Sequence, residues 1–413
     1  MAILISDIDE LKKRFLYLEE HFNIDISDNL SILEDENIET LAEEINEIEI
    51  AFPDEIELIS YSIADFWKYT NDLKSIINPD KSTVKTNFIC QKIITLDEFK
   101  FEKLNVSQYT FRTENYSLSI IEHPFLIGLI ASKEGLCDDN YGITPCSLYY
   151  AVELEYLNEF RLIEEEENSI ICRFLFHICS RIGLSIKIGE LFEFPDEYYD
   201  YEEEDSEEEE EMQTLLITEC ELPQYTLAMD YYVDALSIQN EEIKYLYFYK
   251  IIEFFAPIVS KKRSYELLNL KLDTLSVKNR DHKYLESIFQ LTRDYDVSLK
   301  DKELTNTVLC ECIDILEIFE YLPTSIKERL SKVIKFRKDE YLHLKGEKIL
   351  DLKKELGLYL YSTRNSIVHA KSNYQSTGNE CLYEDLAELN IFMSKLCHCL
   401  IVWNGRQARE YQV

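Results

Sequence analysis

Twelve of the sixteen residues from Asp196 to Glu211 are acidic. Like charges at this density repel one another and cannot be buried together, so no single core can run through this segment. It reads as an exposed linker or loop that parts the chain into halves of different character. Residues 1–223 hold 16 Lys+Arg and 52 Asp+Glu, whereas residues 224–413 hold 27 and 28. Nearly all of the net charge of −37 therefore belongs to the first half. A chain of 413 residues, 46% hydrophobic, has material for more than one core. The expectation is an α+β protein: an acidic mixed α/β domain over 1–195, an acidic linker over 196–223 and an all-helical domain over 224–413. The acidic run could also cover a basic surface until something displaces it, and the sequence leaves that choice open.

Within the first half, Leu11, Phe15, Leu18 and Phe22 recur at helical spacing. A second helix is expected from Ile38 to Phe52, ending before Pro53. From Ser82 to Ser132 β-branched and aromatic residues take over, with a hairpin expected from Tyr109–Thr113 to Tyr116–Ile121 around Glu114-Asn115. Tyr149–Tyr156 and Leu184–Phe194 are further strand candidates. In the second half no glycine occurs between 190 and 345, and helical periodicity dominates. Met229, Tyr232, Ala235 and Leu236 mark one helix. Tyr245, Phe248, Ile252 and Phe255 mark another, expected to end at Pro257. Further helices are expected near 282–293, 303–320, 325–343, 347–370 and 383–409, with residues 260–345 inserted between the first helix pair and the helix at 347–370.

Overall acidity argues against indiscriminate nucleic-acid binding. The local balance differs: between Lys327 and Lys371 twelve basic residues meet six acids. Lys345, Lys348, Lys353 and Lys354 in that stretch are candidates for touching a phosphate backbone, although charge runs are commonly solvated helix faces. Eleven cysteines without pairing pattern or leader fit reduced thiols in the cytoplasm. Apolar stretches such as Phe125–Ala131 are too short to span a bilayer, so no membrane role is expected. Cys397-His398-Cys399 and Cys310-Glu311-Cys312 lack zinc-site spacing and read as thiols, not ligands. No phosphate-cradling glycine loop is present. The tyrosines near Tyr225, Tyr231, Tyr232, Tyr245, Tyr247 and Tyr249 read as core and interface before base-stacking platforms.

One constellation carries chemistry: Arg364-Asn365-Ser366-Ile367-Val368-His369. On a helix, Asn365 and His369 share a face one turn apart, with Arg364 beside them and Ile367 turned toward the core. Cutting RNA by attack of its own 2′-OH needs an acid/base near neutral pH, which suits histidine. It also needs a cation on the pentacoordinate phosphate, which suits a guanidinium. Asn365 can orient either, and no metal or cofactor is called for. Arginine followed by histidine at this distance is common by itself, and Arg337 to His343 is a second match.

What distinguishes the first is its asparagine and its aliphatic pair. In these it resembles the R-N-x-x-x-H motif of the HEPN superfamily. The stretch Tyr247-Phe248-Tyr249-Lys250-Ile251-Ile252-Glu253-Phe254-Phe255 is similar to the first-helix pattern of ApeA-like and abortive-infection HEPN proteins. The resemblance covers residues 224–413. It implies a helical bundle that forms a homodimer or higher oligomer and sets two Arg/His pairs across one cleft. It also implies a metal-independent endoribonuclease acting in antiphage defence or a toxin system, with Arg364, Asn365 and His369 in the motif roles. Glu253 would be the helix-one acid and Lys371 a supporting cation. The expected substrate is a structured RNA such as a tRNA anticodon loop, with a phage protein or other regulatory partner as trigger. The alternative is a non-catalytic interaction protein, in which Arg364 pairs with Glu253 for structure and the acidic half binds a basic partner.

Overall fold

A computed structural model describes residues 8–33, 47–52, 58–96, 109–135, 150–190, 215–218, 221–273, 282–298, 301–369 and 378–407. The acidic run 196–211 and Lys371 lie outside them. The fold is mixed α+β. By its internal contacts the chain divides into one unit of residues 1–178 with 186–222, and a second of residues 179–185 with 223–413.

The first unit begins with α1 (Ile8–Phe22), whose Leu11, Phe15, Leu18 and Phe22 are all buried, as the spacing predicts. After α2 (Ser27–Leu33), strands β1 (Glu47–Ile50) and β2 (Ile59–Ser62) pair antiparallel. This corrects the helix expected up to Phe52, at least over its described end. Residues 47–50 read Glu-Ile-Glu-Ile, a period of two, and burial alternates with it so that both isoleucines enter the core. Ser62 then caps α3 (Ile63–Thr70) by accepting from the Asp65 N–H.

An eight-stranded sheet follows, made of β3 (Ile77–Asp80), β4 (Thr83–Lys85), β5 (Ile89–Leu96), β6 (Tyr109–Arg112), β7 (Tyr116–Glu122), β8 (Tyr150–Tyr156), β9 (Ile186–Ile188) and β10 (Leu215–Ile217). The order is β10-β6-β7-β8-β5-β4-β3, with β9 also on β5. β10 pairs β6 in parallel and the other pairs are antiparallel. The expected hairpin is β6–β7, and the Thr113 hydroxyl accepts from the N–H groups of Asn115 and Tyr116 to hold its turn.

Helix α4 (Phe125–Glu134) is buried on every side from Phe125 to Ser132. Its first N–H groups have no partner within the helix. Gln91 of β5 supplies one, its Oε1 accepting from Leu126 and Ile127 at 3.0 and 3.3 Å. The amide of Gln91 donates to Glu153 of β8 at 2.8 Å, and the Lys68 ammonium reaches the other oxygen of Glu153 at 2.8 Å. Glu153 is 3% exposed, so this chain of contacts is what allows a carboxylate to sit there. Helix α5 (Glu164–Ile182) opens with four glutamates where the helix dipole favours them. Glu167, the last of these, accepts from the Tyr156 hydroxyl at 2.6 Å.

Among its described residues the second unit is built from helices: α6 (Leu227–Ser237), α7 (Glu241–Leu272), α8 (His282–Ser298), α9 (Asp301–Cys312), α10 (Ile315–Ile318), α11 (Thr324–Ile334), α12 (Glu347–His369) and α13 (Leu386–Gly405). Helix α7 packs against α6, α8, α9, α12 and α13. It does not stop at Pro257 as expected but runs through it. A proline inside a helix costs about 3 kcal/mol. Burial of Phe255, Ala256, Val259 and Ser260 on both sides of it outweighs that cost. Within the stretch 260–345, α9 packs on both α7 and α12. The approach to α12 is close because Gly357 has no side chain, and a Cβ there would run into Asn306 Oδ1.

The span Tyr383–Gly405 is long and apolar enough to cross a membrane by length and composition, which corrects the expectation that every apolar stretch is too short. Half of that span is buried inside the protein, with Leu389, Phe392, Met393, Leu396 and Leu400 repeating at helical spacing. Among the described residues Cys90, Cys172, Cys179, Cys310, Cys312, Cys381, Cys397 and Cys399 are free thiols.

Candidate active site

The motif lies at the C-terminal end of α12. The helix is anchored by Leu352, Leu356, Tyr359, Leu360 and Thr363, all buried. Tyr245 of α7 is fully buried and donates its hydroxyl to the Leu360 carbonyl at 2.8 Å. Thr363 donates back to the Tyr359 carbonyl at 2.9 Å and accepts from the Cys381 N–H at 2.9 Å. Two neighbouring segments thus fix the rotation of α12 about its axis, and with it the direction in which the motif faces.

Arg364 points toward α7. Its Nη2 donates to Glu253 Oε1 at 3.2 Å, and its Nη1 donates to Asn365 Oδ1 at 3.2 Å. Its guanidinium carbon stands 6.0 Å from the centre of the Tyr249 ring. Tyr249 is held from behind by a 2.7 Å hydrogen bond between its hydroxyl and that of Thr305. The side chain of Arg364 remains 25% exposed and that of Glu253 46% exposed, so the pair sits at the surface and not in the interior. Pro257 bears on Glu253 too, because it has no N–H to offer the Glu253 carbonyl four residues earlier.

His369 is the last helical residue and is exposed, as is Val368. Asn365 and His369, four apart, fall on one face. Ile367 is only partly buried and, with Thr363, Ser366, Cys381, Tyr383 and Leu386, lines a cavity of about 90 Å³, so it is not the deep anchor expected of it. Burial pushes the Cys381 thiol up to about 11, which keeps it protonated at neutral pH and a poor nucleophile.

The structure brings Arg364, Asn365 and Glu253 together and places His369 at the open end of the same helix. It does not bring the candidate lysines to them. Lys353 donates to the Cys310 carbonyl at 3.2 Å, a contact that ties α12 to α9. Lys354 is exposed. Lys345 precedes α12 and Lys348 lies in its first turn. At 1.5 Å rise per residue, Lys348 is about 24 Å along the axis from Arg364. Tyr249 was not foreseen as part of the site, although it lies four residues before Glu253 and therefore on the same face of α7. No family model matches the chain, and no curated protein or solved structure is similar to it.

Proposed function

We propose that the helical second unit is a HEPN-type endoribonuclease that cuts RNA without a metal ion. The observation that carries this reading is the contact of Arg364 with Glu253 and Asn365 at the protein surface. A guanidinium has five N–H donors in a rigid fork. Glu253 and Asn365 engage two of them and set the plane of the group, leaving the remaining N–H donors for phosphate oxygens. In this reading His369 takes the proton from the 2′-OH or gives one to the 5′ leaving oxygen. Arg364 stabilises the charge that builds on the pentacoordinate phosphorus. The products are a 2′,3′-cyclic phosphate and a 5′-hydroxyl. A second copy of the chain would supply the matching Arg/His pair across the cleft, and the setting would be bacterial antiphage defence or a toxin system in the cytoplasm.

The test is cleavage of total RNA and tRNA by purified protein in EDTA, with sequencing of the RNA ends. Wild type is expected to leave 2′,3′-cyclic phosphates, and His369→Ala and Arg364→Ala to leave intact RNA. Equal cleavage by all three proteins would overturn the assignment.

A second reading draws on the same ion pair. Arg364 already has a carboxylate partner, so the motif can be a structural clasp in a non-catalytic dimerisation module, with the acidic half of the chain binding a basic partner. No cleavage of any RNA, together with a stable complex with a basic protein, would favour it.

A further inference from the structure

The other Arg…His match, Arg337 to His343, lines a cleft of the second unit that is rich in basic residues. Helix α11 ends at Ile334 and is capped by Lys335, whose backbone is left-handed with φ 56° and ψ 62°. That position ordinarily falls to glycine. A second left-handed turn at Gly346, φ 57°, leads into α12. Between these two turns the chain folds around an open cleft of about 600 Å³. Among the described side chains Lys335, Arg337, Lys345 and Lys348 line it, together with His343 and the acid Glu340. Arg337 and Glu340 approach to 3.5 Å with both side chains exposed, which neutralises little of the charge.

Two further features point to an anion. The cleft lies at the N-terminus of α12, a helix of 23 residues, where unpaired N–H groups and the dipole attract negative charge. Lysine in a first helical turn is the unfavourable placement, yet Lys348 occupies it. An anion seated there would be attracted by Lys348 and by the helix end alike, and would offset the repulsion between them. The remaining wall is apolar. Leu344 is 6% exposed, and the half-buried Phe336 ring is steadied edge-on by Phe319 at 6.0 Å. Cations and an aromatic ring lining one cleft of this size fit a nucleotide better than a bare ion.

We propose that this cleft binds a phosphorylated nucleotide unit, with the phosphate among Lys335, Arg337, Lys345 and Lys348 and the base against Phe336 and Leu344. The inference does not depend on the ribonuclease reading, since Lys348 and Arg364 are about 24 Å apart along the same helix. A free nucleotide and one link of an RNA strand present the same chemistry, and the experiment separates them.

Full-length His369→Ala protein, used so that no strand is consumed, would be titrated with ATP and with a short fluorescein-labelled oligoribonucleotide. The double variant Lys345→Glu, Lys348→Glu in the same background should lose at least tenfold in affinity for whichever probe binds. If the probe is the strand, the slope of log affinity against log salt should fall by about 1.4, two phosphate contacts' worth. Arg337→Gln, a single exposed change, provides a second variant should the double one fold poorly. Loss with ATP identifies a free-nucleotide site, and loss with the strand alone identifies a strand anchor. Either supports the proposal. Undiminished binding in both variants, or no binding of either probe to the parent, overturns it, whatever His369 proves to do.

Discussion

Arg364 and Glu253 meet across 111 positions of sequence, Nη2 to Oε1 at 3.2 Å, and each is carried by a helix whose rotation is fixed by buried neighbours. The pair is half in water, so its worth to stability is small, within about 1 kcal/mol. Its value lies in holding the guanidinium in one orientation. Glu253→Gln should therefore leave the melting temperature of the second unit almost unchanged while RNA cleavage falls about tenfold to a hundredfold, mainly in kcat. A drop confined to stability, with full cleavage, would assign the pair to structure.

His369→Ala should cost about a hundredfold or more in cleavage, the range for loss of a general acid/base. Because His369 is exposed at the end of α12, thermal unfolding should match wild type. Quantifying 2′,3′-cyclic ends by sequencing, beside a melting curve, separates a lost catalyst from a damaged fold.

Gly357→Ala tests how α12 is held. Alanine in place of glycine inside a helix ordinarily adds about 1 kcal/mol of stability. Here the new Cβ would press on Asn306 Oδ1, and overpacking costs about 1–3 kcal/mol. The clash should win, giving a net loss in urea unfolding. The same change made on Asn306→Ala should instead stabilise. A double-mutant cycle without coupling would show that the two helices do not meet there.

In the first unit, Glu153→Ala would strand the Lys68 ammonium and the Gln91 amide. Removing one partner of a buried pair costs about 3–5 kcal/mol, and because Lys68 keeps a quarter of its side-chain surface in water the loss should fall below that range, about 2–3 kcal/mol. The chain has two tryptophans, Trp67 and Trp403, one in each unit. In a Trp403→Phe background, unfolding of the first unit can be followed by Trp67 fluorescence.

The same contact sets a pH dependence. Burial works to lower the Lys68 pKa, but the facing carboxylates of Glu153, Glu155 and Asp65 outweigh it and hold the ammonium above its ordinary value. A base whose pKa is raised by folding contributes stability that is complete below its unfolded pKa and is lost as pH rises through the folded one. Stability of the first unit should fall more steeply in the alkaline range for wild type than for Lys68→Met. Parallel curves from pH 8 to strongly alkaline conditions would exclude the linkage.

What the sequence made legible was local. The spacing of Leu11, Phe15, Leu18 and Phe22 reports one buried face, and Glu114-Asn115 between two alternating runs reports a turn. The strand Glu47–Ile50 was legible as well, in its strict alternation, but a longer helical window absorbed it. Pro257 misled for a different reason: a local rule predicts an end, and only tertiary burial of its neighbours shows why the helix continues. Contacts such as Gln91 with Glu153, or Tyr245 with Leu360, leave no local trace because each partner looks ordinary in its own segment. The motif residues were readable from chemistry and spacing. The separation of Lys345 and Lys348 from them was readable too, since a helix of known rise carries them apart, and a tally of charge along the sequence obscured it.

The proline inside α7 gives that helix a missing rung at the residue whose carboxylate grips Arg364. Bending costs least where a backbone bond is already absent. The turns beyond Pro257, as far as Leu272, are therefore coupled to the motif end of the helix by one backbone bond fewer. Strain arriving from that end is taken up at the gap, which spares Glu253 and the plane of the guanidinium it holds.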